Sequence, residues 1–266
     1  MTGQIPTALE PYPVFDVHAH LAAPTAAPAL IEAMDRVGVS ASTAMVDHDY
    51  EWPNGVADTR RVNDLLAAAR ASHPRRLPVA LGTVEPFHGS EACLAEIDRL
   101  TSELHLDGMV WDHHAQGTGI DDQRMVAFAK VLAERGLPAF VHVNALDLRE
   151  GPSRVESLAR RVPEATIVAL GALGTLQREW ELSRIASACP NLLFDTTVSV
   201  PMGPIEAYVD TLGASRILFG TDLGTQPARA PMLEEIVESG RLSDADKGLI
   251  LWGNAARLFP RLNELR

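Results

Sequence analysis

Short apolar runs of strand type alternate with amphipathic helical stretches along the whole chain. The runs lie at 14–17, 42–46, 78–84, 108–111, 139–143, 166–170, 192–196 and 216–220. Helical spacing predicts helices near 28–37, 58–73, 90–104, 123–135, 152–162, 176–188, 205–211 and 230–238, and a ninth at 244–258. Eight β/α units in about 255 residues match an α/β fold of the TIM type, the (β/α)8 barrel, whose active site sits at the C-terminal ends of its strands. A doubly wound open sheet is the competing fold. It would carry a glycine-rich phosphate turn after the first strand, where this chain has His18-Ala19-His20-Leu21-Ala22-Ala23-Pro24. No repeat, linker or low-complexity segment interrupts the pattern. Residues 1–266 therefore read as a single barrel domain with an extra C-terminal helix.

Composition narrows the function. The chain is 46% hydrophobic and 22% charged, as in ordinary globular proteins. Its net charge of −12 argues against nucleic acid or an anionic membrane as partner, because both demand basic patches. Lys130 and Lys247 are the only lysines among 23 basic residues, so little is available for a Schiff base or a carboxylated metal bridge. Cys93 and Cys189 fall in predicted helices and read as reduced packing residues, consistent with a cytoplasmic protein. No stretch reaches the roughly 18 apolar residues of a membrane span, and residues 1–13 lack the features of a signal peptide. A small-molecule substrate is the expected partner.

Chemistry collects where the strands end. In an extended strand, residues i and i+2 share a face roughly 6.5–7 Å apart. That spacing puts Asp16, His18 and His20 on one face and Phe15, Val17 and Ala19 on the other, so two imidazoles can converge on one metal ion. Seven of the nine histidines lie at or just past a strand's C-terminal end, His73 and His105 being the exceptions. These include His48 in Val46-Asp47-His48, His88 after Glu85-Pro86-Phe87, His113 and His114 after Trp111-Asp112, and His142 in Phe140-Val141-His142. The last run closes on Gly220-Thr221-Asp222. Neutral imidazole is the usual ligand of zinc-like ions. The same residues have structural readings: His142 as a hydrogen-bonded core histidine, Asp222 as the N-cap of a following helix, and Trp111 as packing. Arg149 and Arg178 lie where a substrate carboxylate would be gripped by a fork of donors. Trp52, Trp111 and Phe87 are candidates for an apolar pocket wall.

Four segments carry a family resemblance: Phe15-Asp16-Val17-His18-Ala19-His20, Leu137-Pro138-Ala139-Phe140-Val141-His142, Ile217-Leu218-Phe219-Gly220-Thr221-Asp222 and Gly253-Asn254-Ala255-Ala256-Arg257-Leu258-Phe259. With His113-His114-Ala115-Gln116-Gly117 they resemble the amidohydrolase superfamily, in its amidohydrolase-2 or aminocarboxymuconate-semialdehyde-decarboxylase-like branch. The resemblance implies a distorted barrel, often homodimeric, holding one divalent metal ion, Zn²⁺ before others, on His18, His20, His142 and Asp222. It makes Asp222 the proton acceptor; by their own positions at the strand ends, His113 or His114 is expected in a supporting catalytic role and Trp111, Arg149 and His48 at the substrate. One departure stands out. The branch carries a histidine at the end of the sixth strand, where this chain has Leu170-Gly171-Ala172-Leu173-Gly174 with no ionisable side chain. That loss weakens a decarboxylase reading more than a hydrolase reading.

The expectation is a mononuclear metal-dependent hydrolase of a small-molecule amide, lactone or related carbonyl bond, with metal-activated water as nucleophile. The alternative is a nonoxidative decarboxylase using the same ligands. A third reading is a barrel that has lost catalysis and binds a metabolite or partner. The deoxyribonucleases of the superfamily share the first motif, but their Gly-Glu-Ile-Gly-like strand is not found here.

Overall fold

The computed structural model describes residues 12–21, 26–48, 54–174, 179–197, 203–224 and 231–265. Its strands are β1 (Phe15–Asp16), β2 (His20–Leu21), β3 (Ala41–Val46), β4 (Val79–Gly82), β5 (Gly108–Trp111), β6 (Ala139–His142), β7 (Ile167–Leu170), β8 (Leu192–Asp195) and β9 (Ile217–Leu218). All pair in parallel and in chain order, with β1 and β2 both on β3. The two ends of the sheet meet. Val17 N donates to Phe219 O at 2.9 Å, Asp222 N to His18 O at 2.8 Å and His20 N to Leu223 O at 2.7 Å. The result is the expected TIM-type barrel. No helix among the described residues is long and apolar enough to cross a membrane.

Around the sheet run α1 (Ala27–Val37), α2 (Val56–Ser72), α3 (Ser90–Ser102), α4 (His113–Gln116), α5 (Gln123–Glu134), α6 (Pro152–Arg161), α7 (Glu179–Ala188), α8 (Gly203–Leu212), α9 (Pro231–Glu238), α10 (Asp244–Gly248) and α11 (Asn254–Leu258). Local chemistry sets their ends. α1 carries a proline in its first turn and stops at Gly38, whose φ of 81° suits a residue without Cβ. Asp122 caps α5 and Ser243 forms a capping box with Asp246 on α10. The predicted continuous helix at 244–258 is interrupted by a π-helical turn, Leu249–Gly253, which buries Ile250, Leu251 and Trp252. α4 was not expected; Asp112 caps it by accepting from Ala115 N.

The apolar residues divide into two layers. One fills the space between sheet and helices and includes Ala19, Leu21, Trp111 and Phe128. The other lies inside the barrel and joins Phe15, Val17, Met45, Leu81, Phe140 and Leu170 to Trp252, Phe259 and Leu262 from the C-terminal segment. Phe259 stacks on Phe140 at 6.2 Å and Trp252 meets Phe15 edge-on at 6.1 Å, closing the end of the barrel opposite the histidines.

Strict alternation fails once, and usefully. Phe15 pairs with Ala41 but His20 pairs with Met45, so the first strand holds one residue more than its neighbour between these points. This bulge at Val17–Ala19 moves Phe15 and Val17 into the inner layer while Ala19 goes to the outer one. The expected common face of Phe15, Val17 and Ala19 is therefore corrected: the apolar start of the strand faces inward below the histidines. Bulges re-aim side chains in this way beside active sites.

Phe259→Ala should remove the stacked floor of the barrel. Its burial predicts a loss of about 3–5 kcal/mol in unfolding free energy by chemical denaturation.

Candidate metal centre

His18, His20 and His142 are brought together from three places in the chain, two of them buried and the third half-buried. His18 Nε2 lies 3.1 Å from His20 Nε2 and 3.1 Å from His142 Nε2. Their other ring nitrogens are committed elsewhere. His20 Nδ1 donates to Val46 O at 2.8 Å, His142 Nδ1 to Trp111 O at 3.0 Å and His18 Nδ1 to Asp195 Oδ2 at 2.7 Å. A carbonyl oxygen only accepts, and so does a carboxylate, so the proton sits on Nδ1 and the Nε2 lone pairs face one point. Three converging lone pairs in a buried site are unfavourable without a cation between them. Ligands about 2.0–2.1 Å from one ion stand about 3 Å apart, as here.

The fourth expected ligand is at the same place. Asp222 Oδ1 is 3.4 Å from His20 Nε2 and 3.7 Å from His18 Nε2. Asp222 holds this position at φ 64°, a left-handed conformation that costs about 1–3 kcal/mol in a non-glycine residue. Buried Asp16 keeps the turn in place, accepting from Thr221 N, Thr221 Oγ1 and His18 N. Burial pushes the Asp16 carboxyl up to about 7. Gly224 then passes so near the first strand that a Cβ would stand 2.0 Å from His20 O. Burial disfavours charge on every ring and holds His20 well below its ordinary value, helped by the charges of His18 and His142. At His18 the Asp195 carboxylate outweighs burial and raises the pKa. Three nitrogens and one carboxylate oxygen thus fit a divalent ion.

The amidohydrolase family model matches residues 15–261. The chain belongs to the amidohydrolase family. No curated protein matches it by sequence. Solved structures share its fold at low identity. A 5-carboxyvanillate decarboxylase from Novosphingobium aromaticivorans, complexed with manganese and 4-hydroxy-3-methoxy-5-nitrobenzoic acid, is 17% identical at TM-score 0.76, covering 98% of this chain and 99% of that one. A dihydroxybenzoic acid decarboxylase from Polaromonas, with manganese and 2-nitroresorcinol, is 17% identical at TM-score 0.70, covering 95% and 98%. The 4-oxalomesaconate hydratase of Rhodopseudomonas palustris is 16% identical at TM-score 0.68, covering 95% and 97%.

The remaining expected site residues of this amidohydrolase separate. His113 is fully buried, and neither ring nitrogen has a hydrogen-bond partner. Burial, then the charge of His142, holds its pKa down at about 3. His114 is turned outward, more than half exposed, with Nδ1 2.6 Å from Asp147 Oδ2. Strand alternation does not divide this pair, because both lie on α4. His48 is buried at the end of β3 with Nε2 3.0 Å from Thr83 Oγ1 and Nδ1 unpartnered. Its pKa is lowered to about 3, chiefly by burial.

Trp111 is corrected as a pocket wall. Its indole lies in the outer layer, stacked on Phe128 at 6.2 Å and donating Nε1–H to Val84 O, and only its carbonyl serves the centre. Phe87 is 66% exposed beneath the Arg124 guanidinium. Arg149 is half-exposed on the loop after β6, its guanidinium 3.7 Å from Asp147. Trp52 and Arg178 lie outside the described residues.

Two carboxylates escaped the sequence reading. Asp195 ends the apolar run Leu192-Leu193-Phe194, the same signal that marked the other strand ends. Glu150 is buried in a loop, where no periodicity points to it; its Oε1 accepts from His114 N at 2.8 Å. Burial, then the charges of Asp112 and Asp147, pushes its carboxyl up to about 7 against the pull of His114.

The folded chain therefore keeps a proton on Glu150 that the unfolded chain releases near its ordinary value of 4.5. Stability drawn from this group is present at low pH and lost as pH rises to about 7. Glu150→Gln retains the acceptor without the charge. Its unfolding free energy should gain on the parent's by on the order of 2–3 kcal/mol between acid and neutral pH, read from denaturant titrations across that range.

Proposed function

We propose that this chain is a metal-dependent decarboxylase of a small aromatic hydroxy acid, with one divalent ion on His18, His20, His142 and Asp222. The observation that carries the metal reading is the convergence of three Nε2 lone pairs beside the Asp222 carboxylate. The choice of reaction is supported by decarboxylases among the structural neighbours, two of which hold manganese. Their manganese widens the expectation from zinc to either ion, and the donor set accommodates both.

When bound, the ion would act as a Lewis acid that draws charge from the substrate's oxygen atoms. Asp222 is placed to take a proton from the ring hydroxyl and return it to the ring carbon. An electron pair of the ring binds that proton; the bond between the same carbon and the carboxyl group then breaks, its electron pair returns to the ring and restores aromaticity, and CO₂ leaves. His48 and His113 are neutral at physiological pH and offer hydrogen bonds without competing for the charge. Arg149 stands on a loop beside this end of the barrel, available to a carboxylate. His114 faces solvent, where it holds the Asp147 loop rather than the substrate.

Hydrolysis of an amide or lactone is the second reading. It is favoured by Gly171, which gives the end of β7 no ionisable side chain, whereas Asp222 alone can serve as base for water.

Chelation should abolish turnover, and one equivalent of Mn²⁺ or Zn²⁺ should restore it. CO₂ release from 2,6-dihydroxybenzoate or 5-carboxyvanillate, with one solvent deuterium on the product ring carbon in D₂O, supports the decarboxylase. Turnover confined to lactones or amides rejects it in favour of the hydrolase. His142→Ala should bind no metal and stay folded by circular dichroism. Asp222→Asn should lose about 10²–10⁴-fold in kcat, the range of a general acid–base group.

A further inference from the structure

Asp195 lies wholly buried at the end of β8 and meets three donors at once. Its Oδ2 accepts from His18 Nδ1 at 2.7 Å and from Thr197 Oγ1 at 2.6 Å, and its Oδ1 from Gly171 N at 2.7 Å. The chain makes room for this contact. A Cβ on Gly220 would stand 2.6 Å from Asp195 Oδ2, 2.7 Å from Thr197 Oγ1 and 3.0 Å from His18 Cβ, so only glycine lets the chain leaving β9 pass.

We propose that Asp195 is the positioning residue of the metal centre, fixing His18 as the Nδ1–H tautomer so that its Nε2 lone pair is presented to the ion. This inference rests on the metal reading given above. The partners require a group that accepts on both oxygens. An amide at 195 has one acceptor atom and one donor atom. If its NH₂ faced Gly171 N–H, two donors would oppose each other. If it faced His18, the ring would have to accept at Nδ1 and carry its proton on Nε2, where the ion binds. Gly171 N–H thus reads out the carboxylate's orientation from β7, and Thr197 steadies it from the far side. Carboxylates behind metal-bound imidazoles commonly act in this way.

The test uses zinc as the probe, with competition against a chelator to measure affinity. The parent is titrated first; failure to take up one equivalent of zinc or manganese would sink the metal reading itself and this inference with it. If the parent binds, Asp195→Asn should lose about 10–100-fold in zinc affinity. The rise in melting temperature on adding zinc should shrink in parallel. A merely structural role would lower the melting temperature of the metal-free variant and leave the zinc-induced rise and the affinity intact, which would overturn the proposal. Should Asp195→Asn not fold, nitrogen NMR of the zinc-loaded parent decides. A hydrogen-bonded, exchange-protected Nδ1–H on His18 supports the assignment, and its absence refutes it.

Discussion

The constraint on which the centre depends is the closure of the sheet between its first and last strands. Asp222 N bonds to His18 O, and His20 N bonds to Leu223 O, so one backbone seam carries three of the four candidate ligands. Their separation is fixed by main-chain pairing rather than by flexible side chains. The strain of Asp222 in a left-handed conformation is held by that pairing and by Asp16, which grips the neighbouring Thr221 from below.

Each imidazole is oriented from another strand. Val46 on β3 fixes His20, Trp111 on β5 fixes His142, and Asp195 on β8 fixes His18. Two of these partners are carbonyl oxygens, which any residue could supply once the strand register is right. The third is a charged side chain in a fully buried place, and it singles out His18 as the ring on which positive charge is most favoured. The centre is thus asymmetric, with Asp195 and Asp222 beside His18 and Asp112 acting on His142 from the end of β5. The neutral rings of His48 and His113 lie near enough to His142 to feel its charge.

The outer parts of the same strand ends do structural work. His114 and Glu150 tie α4 to the loop after β6, through the His114–Asp147 pair and the Glu150 carboxyl on His114 N. Trp111 shows how one residue divides its labour. The ring belongs to the packing between β5 and α5, and the carbonyl belongs to the centre.

The periodicity of the chain determined the alternating strands and helices, and hence the barrel and its chemically active rim. Apolar runs closing on His20, His142 and Asp222 marked that rim because a strand buried on its sides can present polar groups only at its end. Tertiary structure decided the rest. The bulge at Val17–Ala19 is a difference in count between two strands, visible only when they are paired. The choice of His113 over His114 as the buried ring followed from a short capped helix that no periodicity of four residues can specify. Asp195 and Glu150 acquired their roles from donors 177 and 36 residues away, His18 and His114, and such partnerships exist only once the barrel has closed.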